Sequence, residues 1–274
     1  MTPLTTINFA AGVMDRFDRL GRNQVIKASR AGGSAGTALV EASPVGHPGF
    51  TSLRIGETAT CPLAIAFLDM RAMTARSFWE PLTTVAWLSL AVLGQVAEIV
   101  EESGGHVLGM RGDGLMAGWG DPASHGATDV YLAMAACTFS LDAVQGSVNE
   151  LLNMSGIEPV QLCAGTDWGE VCFARTGTPG ASEVNVVGHA ANFAAKCEKA
   201  ALSWEIVVGE GAADHIANYD LLTAHDDSPK TYEHLGQQRS YSFYDFAWRR
   251  IVGDAASAIA QVGGNPTSSI RYSF

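Results

Sequence analysis

Two aspartates stand where chemistry is possible. Asp69 comes at the close of the apolar run "PLAIAFLDM", and Asp113 sits between glycines in "GMRGDGLMAGW". A carboxylate at a strand end and another at a tight turn can meet if the two segments are sheet neighbours. Paired carboxylates suit hard divalent cations such as Mg²⁺ or Mn²⁺, which prefer oxygen ligands and often take phosphates as well. Two such ions about 3.5–4 Å apart clamp the attacking and leaving oxygens of a phosphoryl transfer. Arg71 and Arg111 flank the acids and can offset their charge. A second pair, Asn192 and Lys196, is spaced i, i+4 in "GHAANFAAKCEKAA", which puts both on one helix face. An amide and an ammonium group there can hold a ribose oxygen and a phosphate. Each feature also has a plainer reading, because aspartate favours turns and polar residues at helical spacing form solvated faces. Residues 111–113 also spell a cell-adhesion tripeptide, which nothing else in the chain supports.

The elements that must position these groups can be read from the pattern. "PLAIAFLDM" is continuously apolar up to its acid, as a fully buried strand is. Residues 78–102 read as a long apolar helix; Gln95 and Glu98 interrupt it, so it reads as buried or dimer-facing and not as a membrane span. Segments 106–110 and 115–119 form a hairpin around Gly112, Asp113 and Gly114, with glycine supplying the positive φ of a tight turn. Residues 127–152 read as a second long helix, and "VQLCAGTDWGEVCFAR" as two strands about a turn at 167–168. The helix bearing Asn192 and Lys196 follows, then a strand in "EIVVG", a short helix in "GAADHIANY" and a last strand in "YSFYDFAWRRIV". The order β-α-β-β-α-β is that of an α+β, ferredoxin-like sheet with helices on one face. Residues 1–57 read as an N-terminal extension, 58–252 as the functional domain and 253–274, small and polar, as a flexible tail.

Composition narrows the partners. The chain has 274 residues, with 17 basic against 28 acidic side chains and a net charge of −11. That balance argues against a duplex nucleic acid or an anionic membrane as partner, since both need clustered cations. The five cysteines are scattered without a CxxC pair, which suits a reducing cytoplasm. The N-terminus lacks the basic and apolar regions of a secretory signal.

Taken together, "AIAFLDMRAMT", "GGHVLGMRGDGLMAGWG", "GTDWGEV" and "VNVVGHAANFAAKCE" resemble the successive motifs of class III nucleotide cyclases, over about residues 60–247. The resemblance implies the ferredoxin-like fold and a head-to-tail homodimer with composite active sites. It implies two divalent ions, Mn²⁺ or Mg²⁺, held by Asp69, Asp113 and the Met70 backbone. The segment from Met70 through Arg71 to Thr74 matches the turn around the triphosphate, and Phe67 matches the phenylalanine near base and sugar. Asn192 matches the ribose-orienting asparagine given by the other subunit, Lys196 takes the transition-state arginine position, and Arg239 is a candidate phosphate contact. Gly109 and Asn185 occupy the base-reading positions, where adenylate cyclases carry a lysine–aspartate pair and guanylate cyclases a glutamate–cysteine type. A site that hydrogen-bonds one base rejects others, so losing both readers changes the substrate. The pattern is most similar to the bacterial pyrimidine cyclases of the Pycsar anti-phage system. That likeness implies cyclic UMP or cyclic CMP as product; Asn185 can serve either pyrimidine edge, and UTP is the favoured triphosphate. CTP, a purine triphosphate with atypical readers, and an inactive nucleotide-sensing domain are the alternatives.

Overall fold

The computed structural model describes residues 3–29, 45–124 and 126–265. The chain opens with helix α1 (Thr6–Ser29) and strand β1 (Thr58–Arg71), followed by α2 (Met73–Arg76) and α3 (Leu82–Glu102). The hairpin β2 (His106–Arg111) and β3 (Gly114–Trp119) comes next. It leads into α4 (Gly126–Ala143), which runs through a π-helical turn into α5 (Asn149–Met154). Then come β4 (Gln161–Thr178), β5 (Ala181–Val187), α6 (His189–Ala200), β6 (Ile206–Gly209) and α7 (Glu210–Ala213). The chain closes with β7 (Leu222–Ala224), β8 (Lys230–His234), β9 (Gln237–Tyr241), β10 (Phe243–Phe246) and α8 (Val252–Val262).

The main sheet has the order β2-β3-β1-β4-β6-β10-β7, with β5 added on β4, and β8 and β9 form a separate ribbon. All pairings in the main sheet are antiparallel except β4 with β6. This is the mixed α+β sheet that the element order implies. β1 sits between β3 and β4 and is buried on both faces, which explains its unbroken apolar run. Its side chains alternate: Ala64, Ala66, Leu68 and Met70 join the layer of α1, α3, α4 and α8, whereas Leu63, Ile65 and Phe67 join α6. The long helices thus share one face, and α6 crosses the other.

Two sequence expectations are corrected. The stretch read as two strands about residues 167–168 is one strand, β4, paired with β1 along its whole length from Thr58 to Arg71. Asp167 is 1% exposed and accepts from the Ala212 amide at 3.2 Å, so its carboxylate docks α7 and makes no turn. The tail expected to be flexible is helical over Val252–Val262; Ala255, Ala258, Ile259 and Val262 are buried against α3 and α4. Small residues on one helix face let α8 approach its neighbours closely. The rest of that tail, 266–274, lies outside the described residues. The hairpin forms as expected, and Gly112 supplies its positive φ (+64°), while Gly114 already pairs with Arg111. A glycine at the first central position is the signature of a two-residue hairpin loop with one left-handed residue.

The helix of 78–102 starts at Leu82, after Pro81, whose fixed φ suits a helix entry. It is long and apolar enough to cross a membrane by composition, yet it packs on α1, α4 and β2.

Candidate active site

Asp69 owes its position to register. In β1 it stands opposite Gly114 of β3 and Cys163 of β4, so the hairpin tip and the start of β4 meet at its carboxylate. Gly114 has no side chain to intrude; a Cβ there would stand 3.0 Å from Asp69 Oδ1. The Met70 amide donates to the Asp113 carbonyl at 2.9 Å, which pins the hairpin turn to the strand end. Ala72, the next turn residue, holds a left-handed φ of +63°, a strained conformation for a residue with a Cβ.

Both acids therefore lie at one end of the sheet, with one in each of two hollows. Asp69 lines a groove of about 890 Å³ together with Phe67, Gly109, Asn185 and Arg111. Asp113 lines a hollow of about 370 Å³ with Met73, Thr74 and Ser77, at the entry of α3. The Met70 side chain is buried under α3, where Ser89 Oγ lies 3.7 Å from its sulfur, so only its backbone can serve a ligand.

The larger groove lies between the hairpin and β5. A Cβ on Gly109 would touch nothing within 4 Å, leaving open space at a position expected to face the base. Asn185 donates Nδ2 to Thr176 Oγ1 at 2.6 Å, which leaves its amide oxygen as the acceptor. Arg111 pairs with Glu183 at 3.0 Å across the mouth, an exposed bridge of small energetic weight.

Arg71, expected in the triphosphate turn, points away from the groove. Its guanidinium donates to the main-chain oxygens of Glu198 and Ala201 and lies 3.2 Å from Glu198 Oε1. Glu198 and Cys163 carry no motif that marks them in the sequence. Ligand atoms of Asp69, Cys163 and Glu198 lie within 4.8 Å of one another. Burial pushes the Cys163 thiol up to about 12, so it stays protonated, and Arg71 already neutralises Glu198. That trio is a poor cation cage. The hard oxygens of Asp69 and Asp113 fit a divalent ion better. The acids around Asp69 outnumber the one arginine beside it, which leaves negative charge for a cation to offset.

Asn192 and Lys196 occupy the exposed side of α6, away from the residues that line the Asp69 groove. Lys196 donates Nζ to Tyr232 Oη at 2.8 Å and lies 4.3 Å from the centre of that ring. Tyr232 belongs to the β8–β9 ribbon, where Arg239 is its cross-strand partner. No sequence motif marks Tyr232; only the folded ribbon brings it to α6. Within one chain, then, the candidate residues form two groups: Asp69, Phe67, Gly109 and Asn185 along one groove, with Asp113 on the hairpin turn beside the Asp69 end of the strand, and Asn192 and Lys196 on α6 with Arg239 on the neighbouring ribbon.

Burial raises the Asp69 carboxyl to about 7, with Glu198 and Asp113 adding to the rise and Arg71 opposing it. Between about pH 4, where an unfolded aspartate ionises, and 7 the folded, metal-free chain holds an extra proton, so its stability falls as pH rises across that window. A proton and a cation compete for the same oxygen. Mn²⁺ affinity is expected to weaken about tenfold for each unit below pH 7, and titration calorimetry between pH 5.5 and 8 would measure it. A flat affinity across that range would remove Asp69 from the ligand set.

No protein-family model matches the chain, and no curated protein matches it. Solved structures do. A guanylyl cyclase, Cya2, superposes with TM-score 0.59 at 21% identity, over 71% of this chain and 94% of that one. The adenylyl cyclase CyaB from P. aeruginosa gives TM-score 0.59 at 22% identity, over 69% and 95%. A class III adenylyl cyclase-like ATP-binding protein from Pseudomonas aeruginosa gives 0.59 at 18% identity, over 87% of this chain and 48% of that one. The fold is that of class III cyclase catalytic domains.

Proposed function

We propose that the chain is a class III pyrimidine nucleotide cyclase that converts UTP to 3′,5′-cyclic UMP and pyrophosphate as a head-to-tail homodimer in the bacterial cytoplasm. The observation that carries this reading is that Asp69, Phe67, Gly109 and Asn185 line one groove, with the Asp113 turn pinned to the strand end that bears Asp69. An anti-phage signalling role rests on the motif resemblance alone.

Asp69, Asp113 and the Met70 backbone would hold two divalent ions. When bound, these supply the positive charge that makes the ribose 3′-hydroxyl acidic and steadies the departing pyrophosphate. Phe67 packs against sugar and base in the groove, and the Asn185 amide oxygen accepts a hydrogen bond from a donor on the base. Asn192 of the partner subunit orients the ribose so that its 3′-oxygen faces the α-phosphorus. That oxygen gives its proton to water and bonds to the α-phosphorus as the bond to the bridging oxygen of the β-phosphate breaks. Lys196 of the partner subunit meets the charge that develops on the α-phosphate. A lysine does this as a point charge, without the bidentate fork of an arginine. In the single chain this lysine is held by Tyr232, and it must leave that ring to reach a nucleotide.

Incubating the protein with Mn²⁺ and each of the four ribonucleoside triphosphates, followed by mass spectrometry, tests the reading. Cyclic UMP is expected. Product from CTP or from ATP alone would reject the uridylate assignment, and no product from any triphosphate would reject catalysis. That last result would favour nucleotide binding without turnover. The likeness in fold to an adenylyl cyclase-like ATP-binding protein makes this a definite second reading.

The open space at Gly109 allows a direct test of base reading. Gly109→Lys with Asn185→Asp supplies the adenylate-type pair, and the ratio of ATP to UTP turnover is expected to rise about tenfold or more. An unchanged ratio would mean that these positions do not read the base.

A further inference from the structure

In the dimer proposed above, each chain gives Asp69 to one site and Asn192 and Lys196 to the other. The elements that carry these two sets touch within a single chain. The last turn of α6 lies directly on β4: a Cβ on Gly165 would come within 1.9 Å of the Glu198 nitrogen and 2.5 Å of the Ala194 oxygen. Gly165 itself stands opposite Phe67, beside the strand end that bears Asp69.

Across this contact reaches Arg71, two residues beyond Asp69. It donates to the main-chain oxygens of Glu198 and Ala201 and pairs with the Glu198 carboxylate at 3.2 Å. Both side chains are largely shielded, at 26% and 14% exposure, so the pair is less screened than a surface bridge. A cation at a helix C-terminus also meets the negative end of the helix dipole. The planar guanidinium can serve two carbonyls and a carboxylate together, which an ammonium group does less well.

We infer that Arg71 is a positioning residue shared by both active sites of the dimer: by gripping the Glu198 carboxylate, which lies within 4.8 Å of that of Asp69, it fixes the surroundings of Asp69 in its own chain's half-site and, by clamping α6, it seats Lys196 and Asn192 in the opposite one. The inference rests on the composite-site cyclase reading. It differs from the role that the motif resemblance gives Arg71, a contact to the triphosphate, because such a contact would serve only the site that receives Asp69.

Mixed dimers separate the two. One chain carries Asp69→Ala and the other Lys196→Ala, with different affinity tags, so that one site of the purified heterodimer has every group and the other lacks two. Arg71→Met is then placed on each chain in turn, and kcat and KM for UTP are measured with Mn²⁺. A drop in kcat of about 10- to 100-fold in both placements, with KM little changed, is the expected result. The decisive arm puts Arg71→Met on the Asp69→Ala chain, which gives only α6 to the intact site. Unchanged kcat there would overturn the inference. Should Arg71→Met fail to fold by circular dichroism, Glu198→Gln keeps the carbonyl contacts and tests the clamp in both placements, with the same direction expected. A wild-type chain that makes no cyclic product would defeat the cyclase reading itself. An active wild type whose mixed dimer stays inactive would defeat the composite site. Either would also remove the basis for a shared Arg71.

Discussion

Replacing Asp69 by Ala is expected to lower the rate of cyclic product formation at least about 10³-fold, the several kcal/mol that a held cation contributes to phosphoryl transfer. The same change is expected to leave the fold intact. Among the described residues the Asp69 carboxylate holds no hydrogen bond that organises the strand end; the turn is held by the Met70 amide and the Asp113 carbonyl, and the strand by its backbone ladder. Its carboxyl is raised to about 7 by burial and neighbouring acids, so above that pH its charge opposes the native state in the metal-free chain. Removing it therefore costs activity without costing stability. Mass-spectrometric rates at saturating Mn²⁺ and UTP, beside a thermal melt at pH 8, separate the two effects. Turnover retained by Asp69→Ala would mean that the cation binds elsewhere.

Gly165→Ala carries the second large effect, through packing. The added methyl has no flexible side chain to displace; it meets backbone atoms of α6 at 1.9 and 2.5 Å. Either α6 lifts from the sheet or β4 bends, and overpacking of this kind costs about 3 kcal/mol. Lifting α6 also carries away Lys196, Asn192 and the carboxylate that Arg71 grips. Stability and turnover should fall together, in contrast to Asp69→Ala. Urea unfolding and initial rates on one preparation would show it. A variant of wild-type stability would mean that α6 sits farther from β4 than this structure has it.

What the sequence disclosed and what it hid follow from the range of the interactions involved. The apolar run ending at Asp69, the glycines around Asp113 and the spacing of Asn192 and Lys196 are local patterns, and each specifies an element without help from the rest of the chain. Asp167 and Trp168 look like a turn by the same local logic, yet they lie in mid-strand. The partner of Asp167 is α7, far along the chain, and Gly169 is accommodated within the strand at φ +159°. Helix α8 was concealed for a related reason, since alanines become core only when a neighbouring surface closes on them. Arg71 is the sharpest case. Its type and place beside an acid suggest a phosphate ligand, whereas its partners, Glu198 and Ala201, become visible only once α6 is laid across β4. Tyr232 beside Lys196 is likewise a product of the folded ribbon.

In the proposed enzyme, Asp69 and Asp113, from separate hollows, hold cations around one triphosphate. Anomalous diffraction from crystals grown with Mn²⁺ and a non-cyclisable uridine triphosphate analogue addresses it most directly. Manganese peaks bound by the carboxylates of Asp69 and Asp113 are expected, with Asn192 of the partner subunit at the ribose. A peak caged by Asp69, Cys163 and Glu198, or a nucleotide bound with no manganese at Asp113, would contradict it.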